Sequence, residues 1–310
     1  MKSLEFRAMN CQMLAVLDTA HAQSVEWLAE VPLWFADWEQ RLSRFRIDSE
    51  LRQLNRNRGR AFPVSSVLWD VVQAALRAAA TSGGLVTPTL LTAMESAGYD
   101  RSFSSLQLSA QPSGASIYLK TKTPMAVKDW QAIECSAQTR SIRLPLGVQL
   151  DLGGIAKGWA AQQAVQKLSQ HGPALVDAGG DIAISGPRAD GTAWPIGVTD
   201  PDGHEVEVLM LSGGGVATSG RDYRRWQQGD RWQHHILDPR TGQPAQTDVL
   251  TVTIIAPTAC EAEMAAKVVL ILGSQAGLQW LEAHPSFAGL LILEEGRILR
   301  SRRFKSYVWS

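Results

Sequence analysis

A chain of 310 residues, 45% of them apolar, can bury a sizeable core. Lys plus Arg number 30 and Asp plus Glu 30, which excludes a bulk basic field for nucleic acid and an acidic solvating tail. No apolar run reaches membrane-spanning length, and residues 1–10 carry Lys2, Glu5 and Arg7 with no apolar segment behind them; a cytoplasmic protein without membrane insertion is expected.

Residues 13–18 read as an opening strand. Residues 22–45 then show helical periodicity, and Pro32 predicts a kink or restart there. Ser65 or Ser66 caps a second helix over 67–81, Ala-rich and stopped by Gly83-Gly84. Residues 106–150 change to short runs such as 116–120 and 141–144, separated by Gly, Pro and polar residues, which predicts strands. A helix follows over 155–169, then strands at 175–177, 181–185, 194–198, 205–211 and 250–255. Thr258 with Glu261 forms a capping box for a helix that Gly273 ends; a short helix from Ser274 leads to a final hairpin of 290–293 and 298–300. This is a mixed α+β order rather than an alternating βαβ series, and without linker or repeat it reads as one domain over 1–310.

Cys11, Cys135 and Cys260 are isolated from one another and read as ordinary thiols. Trp27, Trp34 and Trp38 fall in one helical stretch and are expected to pack inward, an indole stacked on a ligand ring being the minority reading.

Four segments suit a phosphorylated ligand better than plain structure. Asp151-Leu-Gly-Gly-Ile-Ala-Lys-Gly158 runs into a helix, where glycines let backbone amides approach phosphate and Lys157 adds a cation. Asp177-Ala-Gly-Gly-Asp181 repeats the glycine pair between strands, as a bulge or close approach. Ala217-Thr-Ser-Gly220 with Arg221 reads as a small-residue turn offering hydroxyls and a guanidinium. His234-His-Ile-Leu-Asp-Pro-Arg-Thr-Gly242 supplies an imidazole, the natural base near neutral pH. Each alone is as readily structural; together they indicate a nucleotide or phosphate site with neither a Walker loop nor a GxGxxG fingerprint.

In this order, with Leu42-Ser-Arg-Phe-Arg-Ile-Asp-Ser-Glu-Leu51, Leu54-Asn55 and Pro88-Thr-Leu90, these segments resemble the FAD:protein FMN transferases, the ApbE family, from about Phe6 to Gly273. The resemblance implies a duplicated α+β architecture similar to the tunnelling fold, with FAD in a cleft between the halves. It also implies a reaction in which a Thr or Ser hydroxyl of an acceptor protein takes FMN from FAD and expels AMP. On that basis Met9, Phe45, Leu85, Val86 and Thr87 meet the flavin side, Asp151 and Lys157 contact the nucleotide, and Ile236 and Leu237 line the cleft. His235 matches the reactive His, assisting deprotonation of the acceptor or stabilising the transition state.

The family's Mg2+ ligands are a backbone carbonyl, here Gly154, and an Asp and a Thr four residues apart on a helix. Those two positions hold Glu263 and Lys267. An ammonium has no lone pair and repels a cation. Either the pair is an i, i+4 salt bridge on an exposed helix face, or the Lys267 charge stands where the metal would neutralise the pyrophosphate. Asn10-Cys11 and Thr87 also depart from the family's Gly-Thr and Asp. Two rival functions share the pocket: a protein that binds or sequesters FAD, and a pyrophosphatase in which water attacks. The basic stretch 297–305 is a solvated face or a docking surface for the acceptor.

Overall fold

The computed structural model describes residues 1–108, 129–228 and 231–309. Its framework is an eight-stranded sheet in which spatial order follows chain order, every neighbouring pair being antiparallel. The strands are β1 Lys2–Ala8, β2 Cys11–Leu17, β3 Ala174–Ala178, β4 Asp181–Ile184, β5 Gly214–Gly220, β6 Val249–Ala256, β7 Ala288–Leu293 and β8 Ile298–Arg300.

The helices show a duplication. Between β2 and β3 run α1 Ser24–Leu42 and, at the end of a long insertion, α6 Ala156–Leu168; between β6 and β7 run α7 Ala259–Leu272 and α8 Ser274–Ala283. Each half thus reads strand, strand, helix, helix, strand, strand. The insertion in the first half carries α2 Glu50–Arg56, α3 Ser66–Thr81, α4 Leu91–Ser96 and α5 Phe103–Leu108, with a small three-stranded sheet of 61–63, 141–143 and 134–136.

Period-two alternation sorts the sheet's side chains. Met13, Ala15, Leu17, Val176, Ala217, Val252, Ile254 and Leu291 face the helices and form the main core with α1, α3, α6 and α7. Val16, Leu175, Ile184, Val216, Ile255 and Leu290 face the other way, where a hairpin of Trp194–Thr199 and Glu205–Leu211 and the buried Phe304 cover them. With both faces buried, β2, β3, β6 and β7 read as near-continuous apolar runs.

Several expectations meet the structure directly. Ser65 caps α3 through its hydroxyl, which accepts the Leu68 N–H at 3.2 Å, and Thr258 caps α7 by accepting the Glu261 N–H. α1 continues as one helix through Pro32 instead of restarting there, because its buried stripe of Leu28, Val31, Phe35, Trp38 and Leu42 outweighs one lost backbone bond. Trp38 is buried, whereas Trp27 and Trp34 are half-buried and carry His171 and Lys167 on their faces. The opening strand is the second of a hairpin: β1, with Lys2, Glu5 and Arg7 among its seven residues, carries no apolar run to announce it. Ala217-Thr-Ser-Gly220 is no turn but part of β5, in the middle of the sheet, and its small residues reflect crowding. A Cβ on Gly215 would lie 2.3 Å from the Ala259 nitrogen. The strand expected at 116–120 falls outside the described residues.

One glycine fixes how close the two central helices lie. A Cβ on Gly158 would sit 2.8 Å from the Ala259 carbonyl oxygen and 2.9 Å from Glu263 Oε2, so α6 and α7 touch backbone to backbone. Gly158→Ala is expected to destabilise the protein by about 1–3 kcal/mol through overpacking. Denaturant midpoints report it, and an unchanged midpoint would show that the helices part without cost.

Candidate functional site

The cleft lies where the β1–β2 turn, the end of α1, the loops flanking α4, the start of α6, the loop after β5 and the middle of α7 converge; its volume is about 430 Å3. Met9 and Asn10 form the turn, both at positive φ (47° and 62°), and Glu39 Oε2 accepts the Met9 N–H at 3.0 Å. A methionine in the left-handed region is strained. The bond from its N–H to Glu39 helps hold it there, and it lines the cleft.

Leu54-Asn55 has a positioning role. The buried Asn55 amide donates to the Leu150 carbonyl (2.9 Å) and accepts its N–H (2.8 Å), pinning the segment that leads into Asp151. Asp151 then accepts the Gly153 N–H at 2.8 Å and pairs with Arg44 at 2.7 Å. Arg44 also donates to the Tyr99 carbonyl and lies 4.2 Å from the Phe45 ring centre and 4.5 Å from that of Tyr99. Its remaining terminal nitrogen is buried with no partner. Phe45 and Tyr99 are the aromatic side chains lining the cleft among the described residues, so the minority reading of a tryptophan against the ligand is not supported.

Below the first turn of α6, four charges interlock. Lys157 pairs with Asp181 at the start of β4, and Lys267 donates to Glu263 Oε1 at 3.1 Å while Glu263 Oε2 accepts the Gly158 N–H at 2.9 Å. The ammonium groups face the cleft; Asp181 and Glu263, each 1% exposed, stand behind them. Burial opposes the Glu263 charge, but Lys267 and Lys157 outweigh it and hold the carboxyl below its ordinary range. Burial likewise opposes the Lys157 charge, and Asp181 and Glu263 more than compensate. Asp181, more strongly desolvated, is pushed up to about 6 despite Lys157.

His235 lines the same cleft, its backbone N–H bonded to the Arg224 carbonyl and its Nδ1 buried without a partner. Burial first, then the nearby Arg224 and Lys267 charges, depress the imidazole well below its usual range, so it is neutral at pH 7. His234 is structural: its Nδ1 accepts the Ile236 N–H at 3.3 Å, which leaves Nε2 to donate to the Ala245 carbonyl at 3.1 Å. Burial lowers it to about 4. The unfolded chain takes up this proton below pH 6.5 and the folded chain resists it until about pH 4. Stability is therefore expected to fall by roughly 3 kcal/mol as pH drops across that window. Denaturation at a series of pH values checks this; a slope unchanged in His234→Gln would assign it elsewhere.

Most expected site residues meet at the cleft: Met9, Phe45, Leu85, Val86, Asp151, Gly154, Lys157, His235, Ile236, Leu237 and Lys267 all line it. Thr87 does not. It is buried, bonded through its hydroxyl to Thr89 at 2.9 Å, and it shapes the loop from behind. Arg221 is spent on structure, donating to the Val249 and Thr247 carbonyls and pairing with Glu294. Arg224, three residues on, lines the cleft instead and donates to Cys11 Sγ at 2.9 Å. Gly179 and Gly180, both at positive φ, make the tight β3–β4 turn rather than a bulge and deliver Asp181 to Lys157. The basic stretch near the C-terminus is largely paired, Arg297 with Glu295, Arg300 with Glu207 and Arg302 with Glu282.

The donor set between Gly154 and Glu263 does not fit Mg2+. The Lys267 stem fills the space over Gly154, its Cε 3.4 Å from where a Cβ would be, and both Glu263 oxygens already accept hydrogen bonds. The salt bridge is present, but it is buried rather than on an exposed face.

A duplicated α/β scaffold presenting lysines from two helices, three arginines and a neutral imidazole to one cleft suits an anionic, phosphorylated ligand. The sequence matches the ApbE family over residues 9–291, and the chain belongs to that family. It is 30% identical over 307 residues to the FAD:protein FMN transferase of Salmonella typhimurium, covering 95% of this chain and 85% of that one. It is 32% identical over 297 residues to the FAD:protein FMN transferase of Treponema pallidum, covering 88% and 79%. The crystal structure of the ApbE protein from Thermotoga maritima superposes with a TM-score of 0.82 at 25% identity, covering 100% of this chain and 99% of that one.

Proposed function

We propose that this chain is a FAD:protein FMN transferase, moving FMN from FAD to a Thr or Ser hydroxyl of an acceptor protein and releasing AMP. The observation that carries the reading is that one cleft gathers a neutral His235 with the Lys157 and Lys267 ammonium groups. Phosphoryl transfer asks mainly for positioning and charge neutralisation, and this arrangement supplies both. Curated relatives carrying that activity's name, matched along most of the chain, support it further.

In this reading Met9, Phe45, Leu85 and Val86 hold the flavin side, Asp151 and Lys157 the nucleotide, and Ile236 and Leu237 exclude water. The unpartnered Arg44 nitrogen and His235 Nδ1 are buried polar atoms that a ligand satisfies. His235 takes the acceptor's proton, since a neutral imidazole has a lone pair to offer and an imidazolium has none. The chain acts as one domain, because the sheet joins strands from both ends of the sequence. Among the described residues no helix is long and apolar enough to cross a membrane. Three free thiols suit a reducing cytoplasm.

The test follows AMP in mixtures of protein and FAD, with and without a protein bearing an exposed Thr. AMP that appears only with the acceptor supports transfer. AMP formed equally without it would make the protein a FAD pyrophosphatase, and FAD bound without AMP in any mixture would make it a flavin-sequestering protein.

A further inference from the structure

We propose that the FAD site works without a divalent metal, the Lys267 ammonium serving as the fixed cation for the ligand's pyrophosphate. The inference rests on the FAD reading above and concerns which group neutralises the phosphates.

Lys267 sits one turn beyond Glu263 on α7 and lines the cleft, its side chain 16% exposed. Two contacts of its ammonium go to the same residue, the Glu263 carboxylate at 3.1 Å and the Glu263 carbonyl at 3.4 Å. An ammonium carries three donors, so at least one remains for a ligand. The stem rests on Gly154, at the start of α6, where backbone amides already favour an anion. A cation held this way is preorganised: Glu263, locked by the Gly158 N–H, fixes its position before any ligand arrives. Lys157, anchored by Asp181, stands as a second fixed cation in the first turn of the same helix.

A metal entering between Gly154 and Glu263 would have to displace the Lys267 ammonium and compete for carboxylate oxygens that already accept from Lys267 and from the Gly158 N–H. The reaction balances without it. The acceptor oxygen bonds to the FMN-side phosphorus, the bond from that phosphorus to the bridging oxygen breaks, AMP leaves with that oxygen, and the acceptor's proton passes to His235.

The test measures FAD affinity by flavin fluorescence on the full chain, first with chelator and then with Mg2+, with AMP and thermal melting read in the same samples. The wild type is expected to bind FAD equally in both and to melt at the same temperature. K267T in chelator is expected to bind roughly ten- to a hundredfold more weakly, the loss of one charge-assisted contact. With oxygen donors at both positions, K267T should be stabilised by Mg2+ and regain affinity. Wild-type binding that is lost on chelation and restored by Mg2+ overturns the proposal, as does K267T matching the wild type in chelator. Should K267T fail to fold, the wild-type comparison decides alone. FAD bound equally with chelator but never turned over with any acceptor would remove the transfer reading and leave the cation's role standing; no FAD binding in either condition would remove both.

Discussion

Replacing His235 with alanine is expected to lower flavin transfer by about 10²- to 10⁴-fold, the usual loss with a general base, while FAD affinity changes little. The asymmetry follows from charge. His235 is held neutral by burial and by the Arg224 and Lys267 charges, so it adds no electrostatic attraction for pyrophosphate. What it offers is a lone pair at the moment the acceptor hydroxyl loses its proton. Single-turnover rates beside equilibrium FAD titrations separate the two quantities. For the same reason, kcat/KM should stay level as pH falls through 6.5, the point at which an ordinary histidine would protonate. A loss of affinity as large as the loss of rate would make His235 a binding contact instead.

The second large effect is on stability. Lys267→Met leaves the Glu263 carboxylate, 1% exposed, without its nearest counter-charge. Breaking a buried pair from one side typically costs about 3–5 kcal/mol, and chemical denaturation should show a loss of that order. Adding Glu263→Gln is expected to recover part of it, because glutamine keeps an acceptor for the Gly158 N–H and carries no charge. If the single variant were as stable as the wild type, Lys157 alone would suffice to hold Glu263, and the pair's importance to the fold would be refuted.

How much of this was legible in the sequence varied with the physics involved. Apolar runs and caps located α3, α6, α7 and the strands β3 and β6 to within a residue or two, since burial and capping are local signals. β5 was hidden because crowding against α7 had removed its large side chains, leaving a string that looks like a turn. β1 was hidden because it lies at the sheet's edge, where Lys2, Glu5 and Arg7 interrupt its apolar residues. At the site, the motifs pointed to the right segments and sometimes to the wrong member. Phe45 was singled out while Arg44 beside it carries the ion pair with Asp151, and Arg221 was favoured over Arg224. Asp181 sat in view as the end of Asp177-Ala-Gly-Gly-Asp181, but its partner lies 24 residues away and only the fold joins them. The substitution at Glu263 and Lys267 was readable only through the resemblance to the family, which implies an Asp and a Thr at those positions. That the pair is buried, and that its lysine faces the cleft while its glutamate does not, required the packing of α6 on α7.

The measurement that bears most directly on the whole account is flavin fluorescence that stays with a denatured acceptor after incubation with FAD and this protein. The account predicts covalent flavin on a protein with an exposed Thr or Ser, formed in the presence of chelator and almost absent with His235→Ala. FAD recovered intact, with no flavin on any Thr- or Ser-bearing acceptor, would contradict it.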